Sequence, residues 1–185
     1  NVNVLLQGGL GAASRIFEFI DMKNDISEGR KTIKKFDEIQ FKDVFFKYPN
    51  TDKNVIDGIN VTLVKNKKIA IVGPSGSGKS TLLALMIRLF DLDNGKITFG
   101  KKDIKDLRLS NLRSFYSLVS QDTVLFNGSI SENIKYNSKL SLKSIEKYAK
   151  LACIDEVIEK LPKGLSSQIG ENGVKLSGGQ RQRIA

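Results

Sequence analysis

The sequence predicts an α/β domain with a β-rich N-terminal portion, a strand–loop–helix core and a helical insert. Three observations predict it. Short apolar or alternating runs, separated by turn residues, fill the stretch from Glu38 to Val72. A glycine-rich loop, GPSGSGKST at 73–81, sits between such a run and a segment of helical period. From Ser129 to Lys160 the periodicity is mostly helical, until Pro162 breaks it.

The elements follow in chain order. Residues 4–22 carry apolar side chains at helical spacing, Leu10, Ala13, Ile16 or Phe17, and Ile20, which predicts a helix. KNDISEGRK, at 23–31, reads as a polar linker. IQFKDVFFKY, at 39–48, predicts a strand, DGI at 57–59 a turn, and the alternation from Ile59 to Leu63 a second strand. KKIAIV, at 67–72, predicts a short buried strand leading into the glycine loop, and LLALMIRLF, at 82–90, the helix that follows it. GKITFG, at 95–100, and FYSLVS, at 115–120, predict two further strands, the latter buried. The last segment, LSGGQRQRIA at 176–185, reads as a loop opening a helix, with Ser177 at the cap position.

Composition removes several function classes. The chain has 185 residues, no histidine and one cysteine, Cys153, so histidine catalysis, histidine metal ligation and an internal disulfide are excluded. Cys153 fits a reducing compartment and is expected to be a buried small apolar residue. No run approaches the ~18 consecutive apolar residues of a membrane span. The net charge of +10 comes with 23 lysines against 7 arginines, spread along the chain without aromatic interleaving. That pattern predicts a solvated basic surface and no nucleic-acid partner.

The loop at 73–81 satisfies G-x-x-x-x-G-K-[ST], and its chemistry explains its residue types. Gly73, Gly76 and Gly78 let the backbone curl so that amides, with Ser75 and Ser77 between them, line an anion cradle. Lys79 supplies charge to β- and γ-phosphates. Ser80 offers a hydroxyl to Mg²⁺, and Thr81 reaches a phosphate oxygen. The predicted ligand is a nucleoside triphosphate with Mg²⁺. Many unrelated enzymes share this loop, so it fixes the site and not the activity.

The second glycine loop narrows the choice. LSGGQ at 176–180, downstream of the P-loop, together with FKYP at 46–49, LVSQDTVLFNGSISENI at 118–134 and SQIGENGVKLSGGQRQRIA at 167–185, resembles the ATP-binding cassette family. These cassettes are the motor domains of ABC transporters, and the likeness is to exporters of the multidrug-resistance and half-transporter type. It covers 36–185. It implies a P-loop NTPase core with an antiparallel β subdomain and a helical subdomain. It also implies ATP and Mg²⁺ as ligands. Residues 1–35 resemble the tail of a last transmembrane helix and its linker. By the resemblance Tyr48 stacks on adenine, and Gln121 touches Mg²⁺ and the attacking water. Ser177, Gly178, Gly179 and Gln180 would close over ATP held by a second nucleotide-binding domain, of the same chain or another. Glu171 is read as an interface or linkage residue, and Phe126 as either core or a contact for a membrane-domain helix.

The resemblance carries further expectations. The family's Walker B strand, its catalytic glutamate and its switch histidine follow the signature helix, so the sequence reads as a domain incomplete at the C-terminus. The membrane is reached through a transmembrane domain of the same protein, with the cassette on the cytosolic or organelle-matrix side. Two alternatives stay open: a soluble ABC ATPase acting on nucleic acid or ribosomes, and a cassette that binds ATP without hydrolysing it.

Overall fold

The structure is a computed structural model that describes residues 9–10, 13–18, 20–21, 26–136 and 138–185. The chain divides into two units, Asn1–Tyr116 and Ser117–Ala185.

The first unit is built on an antiparallel sheet of β1 (Glu38–Phe46), β2 (Ile56–Val64), β3 (Asn94–Phe99) and β4 (Lys102–Asp103), in the order β2-β1-β3-β4. Central β1 sends Ile39 and Phe41 inward, then Val44 and Phe46. The shift from odd to even positions requires an extra residue, and the register breaks between Phe41 and Val44. Asp43 sits there with φ 46, clamped by reciprocal bonds to Asn60 of 2.7 and 3.0 Å. The apolar face of the sheet is covered by helix α1 (Lys79–Met86), through Leu82, Leu85 and Met86. A short helix α2 (Leu109–Arg113) closes the unit, with Leu112 fully buried.

Arg88 ends the turn after α1, fully buried, with φ 52. Its guanidinium makes a two-point contact with Asp91 at 2.7 and 3.2 Å. It also donates to the carbonyls of Ser27, Ile104 and Lys105. A buried guanidinium is tolerated only when its donors are paired in this way. Its bond to Ser27 anchors the segment the sequence reads as a free polar linker. That segment runs beside residues 106–111: Lys31 bridges Leu107, and Asn111 brackets the backbone of Ile33. Lys31 also pairs with Asp106, and this contact holds the Asp106 carboxyl below its ordinary range.

The second unit packs α3 (Ile130–Lys135), α4 (Leu142–Leu151), α5 (Asp155–Glu159) and α6 (Gly178–Ile184). Ile130, Ala149, Ile154, Ile158, Ile169 and Ile184 form its core. Helix α3 starts on a capping box between Ser129 and Glu132.

Several expectations are corrected. The runs 67–72 and 115–120 contain no strand; Ile69, Ile71, Val72, Leu118 and Val119 are exposed, while Phe115 and Tyr116 are half-buried. A strand is held by the ladder of a neighbour, and neither run has a β-partner among the described residues. DGI at 57–59 is not a turn but lies inside β2, where Gly58 with φ 67 marks an irregular pairing. Helix α1 stops at Met86, short of the predicted Phe90. Cys153 is exposed, in the turn after α4 and with φ 55. The predicted helix over 4–22 lies partly outside the described residues. Residues 13–18 are helical, and Leu10, Ile16, Phe17 and Ile20 are exposed.

Candidate functional site

The cradle is formed by 73–78 curling into the N-terminus of α1 (Lys79–Met86). Gly76 and Gly78 both have positive φ, 79 and 84. At Gly78 the requirement is double. A Cβ there would lie 2.8 Å from Ile56 Cδ1 and 2.9 Å from the Val55 carbonyl, so the loop rests directly on the start of β2. Helix α1 has no side-chain cap, and its first internal bond runs from Leu82 N–H to the Gly78 carbonyl. The amides of Lys79, Ser80 and Thr81 therefore precede the intrahelical ladder and face an incoming anion, with the helix dipole behind them.

Lys79 lies back along its own loop. Its ammonium donates to the carbonyls of Gly73 at 3.0 Å and Pro74 at 2.6 Å, which holds the charge at the rim of the cradle. Tyr48 reaches the same helix from 33 residues away: its hydroxyl and that of Thr81 are hydrogen-bonded at 3.0 Å. The ring stands edge-on to Phe46 and Phe90, at 5.1 and 5.3 Å between centroids. Thus the structure brings Tyr48, Thr81 and the cradle together within the first unit.

The second unit carries the other candidates. Ser177 caps α6 (Gly178–Ile184): its Oγ accepts from the Gln180 amide at 3.3 Å, and Gln180 Oε1 accepts from the Ser177 amide at 2.8 Å. The Ser177 hydroxyl keeps its own proton free to donate. A Cβ built on Gly179 would meet no neighbouring group within 4 Å, so the space beside that residue is open. Gln121 stands in a bend and not at a strand end. A cavity of about 640 Å³ joins Gln121, Thr123, Glu171, Asn172, Gly178 and Arg181, so the Gln121 bend and the signature loop share one opening. Phe126 is exposed and stacks on Tyr136, with 4.9 Å between ring centroids.

Mg²⁺ requires hard oxygen ligands and retains several waters and phosphate oxygens. The Ser80 hydroxyl and the Gln121 amide oxygen are donors of that kind. Both residues are exposed. No sequence pattern signals Arg88, Arg113 or Gln182. Arg113 donates to the carbonyls of Ile87 and Arg88 at the end of α1, and Gln182 donates to the bend at Gln121. These contacts join residues far apart in the chain, and no local pattern encodes them.

The family model described as "ABC transporter" matches residues 56–185, well over half of the chain. The chain belongs to the ABC transporter family. As such it is a nucleotide-binding cassette. It is 42% identical over 188 residues to an ATP-dependent lipid A-core flippase of Vibrio parahaemolyticus, and 43% identical over 188 residues to one of Photobacterium profundum. Both alignments take in all of this chain and 32% of the relative, so the cassette spans about a third of the length of these relatives. A solved structure of a bacterial Atm1-family ABC exporter with ATP bound matches with a TM-score of 0.89 at 33% identity, covering 97% of this chain and 32% of that one. No described helix is long and apolar enough to cross a membrane.

The fit of Gly78 against Val55 and Ile56 generates a stability prediction. Gly78→Ala should destabilise the first unit by at least about 1–3 kcal/mol, from left-handed strain and displacement of β2. Chemical denaturation followed by circular dichroism checks it, and an unchanged midpoint would contradict the close approach.

Proposed function

We propose that this cassette is the ATPase of an ABC exporter, and that ATP binding and hydrolysis there power export of a substrate across a membrane. The observation that carries the reading is a pairing of unlike halves on one chain. The cradle joins helix-end amides to Lys79, and the loop at 177–179 offers helix-end amides with no lysine of its own, the nearby Arg181 being engaged with the Leu176 carbonyl. Two such chains arranged head to tail would each supply what the other lacks. The cradle of one would hold the phosphates, and Ser177 and Gly179 of the other would close on the γ-phosphate, with Gly178 and Gln180 shaping that surface. The relatives, lipid A-core flippases and an Atm1-family exporter, support the exporter assignment.

In this reading residues 1–35 join the cassette to a transmembrane domain of the same protein, and 36–185 form the nucleotide-binding part. The cassette lies on the cytosolic or organelle-matrix side, where ATP is found. Lys79, with the amides of 76–81, neutralises charge as it moves toward the leaving oxygen. Bound Mg²⁺ supplies charge stabilisation at the β- and γ-phosphates, and Ser80 and Gln121 are the residues that would hold it. Gln121 also orients the attacking water, and positioning of that kind is a large share of catalysis in phosphoryl transfer.

Tyr48 stacks on the base in this proposal, and its bond to Thr81 supports the placement beside the phosphates. Tyr48→Ala in the full-length exporter should weaken ATP binding by about 1–3 kcal/mol. Tyr48→Phe keeps the ring face and loses only the hydroxyl bond, so it should cost less than about 1 kcal/mol. Calorimetric titration separates the two, and equal affinities for the Ala and Phe variants would remove Tyr48 from the base site.

A complementation experiment tests the head-to-tail arrangement. Full-length chains bearing Lys79→Ala or Ser177→Arg should each lack ATP turnover, since both composite sites are damaged in each pair. Co-expressed with different tags and purified through both, the mixed pair contains one site with neither substitution, and turnover should return. If each site were built within a single chain, every site would carry a defect and no turnover would return.

A further inference from the structure

The signature helix does more in this structure than present its N-terminus. Gln182, on the second turn of α6 (Gly178–Ile184), sends its side-chain amide back across 61 residues to the Gln121 carbonyl at 3.2 Å, and to the Ser120 carbonyl at 3.4 Å. Among the described residues these are the only hydrogen bonds between the bend at 120–123 and helix α6. The bend is otherwise braced from within. Ser120 Oγ donates to the Asp122 carbonyl at 2.9 Å, and Thr123 Oγ1 donates to the Ser120 carbonyl at 3.0 Å. Gln182 is what ties this bend to the helix. Residues four apart lie on one face of a helix, so Gln182 sits one turn behind Gly178. Gly178 in turn lines the same cavity as Gln121. Gln182 is exposed and takes no part in the core of its unit, so packing does not explain its orientation.

We infer that Gln182 is a positioning residue that couples the two nucleotide sites: its amide fixes the Gln121 bend, which serves the chain's own nucleotide, to the helix whose loop closes on the partner's. The inference rests on the head-to-tail reading above. The chemistry of the contact explains the residue type. A primary amide carries two N–H donors, and two carbonyls lie in front of it. A carboxylate of the same length has only acceptors and would repel both carbonyls. An ammonium would donate to both. With the tie in place, arrival of the signature loop at the partner's γ-phosphate repositions the backbone of Gln121 in its own site. Without it the two events proceed separately.

The test uses the full-length exporter in lipid, with Gln182→Ala, Gln182→Glu and Gln182→Lys beside wild type and Ser177→Arg. ATP affinity, measured under non-hydrolysing conditions, should stay within about twofold for all three Gln182 variants, since none touches the cradle. Loss of one net hydrogen bond predicts a fall in maximal turnover of about 3–10-fold for Gln182→Ala. The Glu variant should fall further than Ala. The Lys variant should return to within about twofold of wild type. The Hill coefficient for ATP should drop toward one in the Ala and Glu variants and recover in the Lys variant. A merely structural role for Gln182 would not order Glu, Ala and Lys by their capacity to donate. The inference is overturned if the three variants share one turnover, whether high or low, or if their losses appear in ATP affinity. Survival of turnover in Ser177→Arg would instead overturn the head-to-tail reading, so the two failures are distinguishable.

Discussion

The cassette depends on the close approach of Gly78 to the first residues of β2. A backbone with no side chain, held at φ 84, rests against the Val55 carbonyl and the Ile56 side chain. That contact fixes where α1 begins, and the start of α1 fixes the direction of the amides that line the cradle. The rest of α1 follows from it. Leu82, Leu85 and Met86 drop onto the apolar face of the sheet, where Phe41, Phe46, Ile97 and Phe99 receive them. At the far end Arg88 and Arg113 secure the helix to its surroundings, Arg88 to Asp91 and three carbonyls, Arg113 to the last carbonyls of the turn. An anion site requires donors that stay in place as charge arrives, and here the helix carrying them is pinned at both ends.

The second unit also presents a helix N-terminus, with no lysine in its glycine loop. The Ser177–Gln180 capping box satisfies two groups at the start of α6 and holds the loop in an extended-to-helix transition. Gly178 and Gly179 leave the first turn of the helix without side chains. The helix then reaches back through Gln182 to the bend at Gln121. A short helix thus connects two pieces of chemistry that are far apart in the sequence.

Local chemistry was the legible part of this protein. The glycine pattern at 73–81 identified the cradle, because only that backbone supplies converging amides, and the serine before Gly178 identified the cap of α6. Alternation from Ile59 to Leu63 identified β2, whose bounds are wider than the pattern because its irregular start at Gly58 imitates a turn. Two apolar runs misled. Residues 67–72 and 115–120 have the composition of buried strands, but composition reports a tendency to bury and says nothing of a neighbour to pair with. No neighbour is present among the described residues, and most of both runs stands exposed. Cys153 misled for a different reason: residue type reports a preference for the interior, and the turn after α4 in which it falls lies at the surface. The lacing of 27–33 onto 106–111 and the tie from Gln182 were invisible because each depends on a long-range contact between polar groups.

The central claim is that the cradle of one chain and the signature loop of another form a single site. Site-directed cross-linking tests it most directly. In the full-length protein with the exposed Cys153 replaced by serine, cysteines at Ser75 and Ser177 should form a disulfide under mild oxidation in the presence of ATP and Mg²⁺. The account predicts a product with the mass of two chains, absent without nucleotide. A disulfide formed within one chain, or no nucleotide-dependent product, would contradict it.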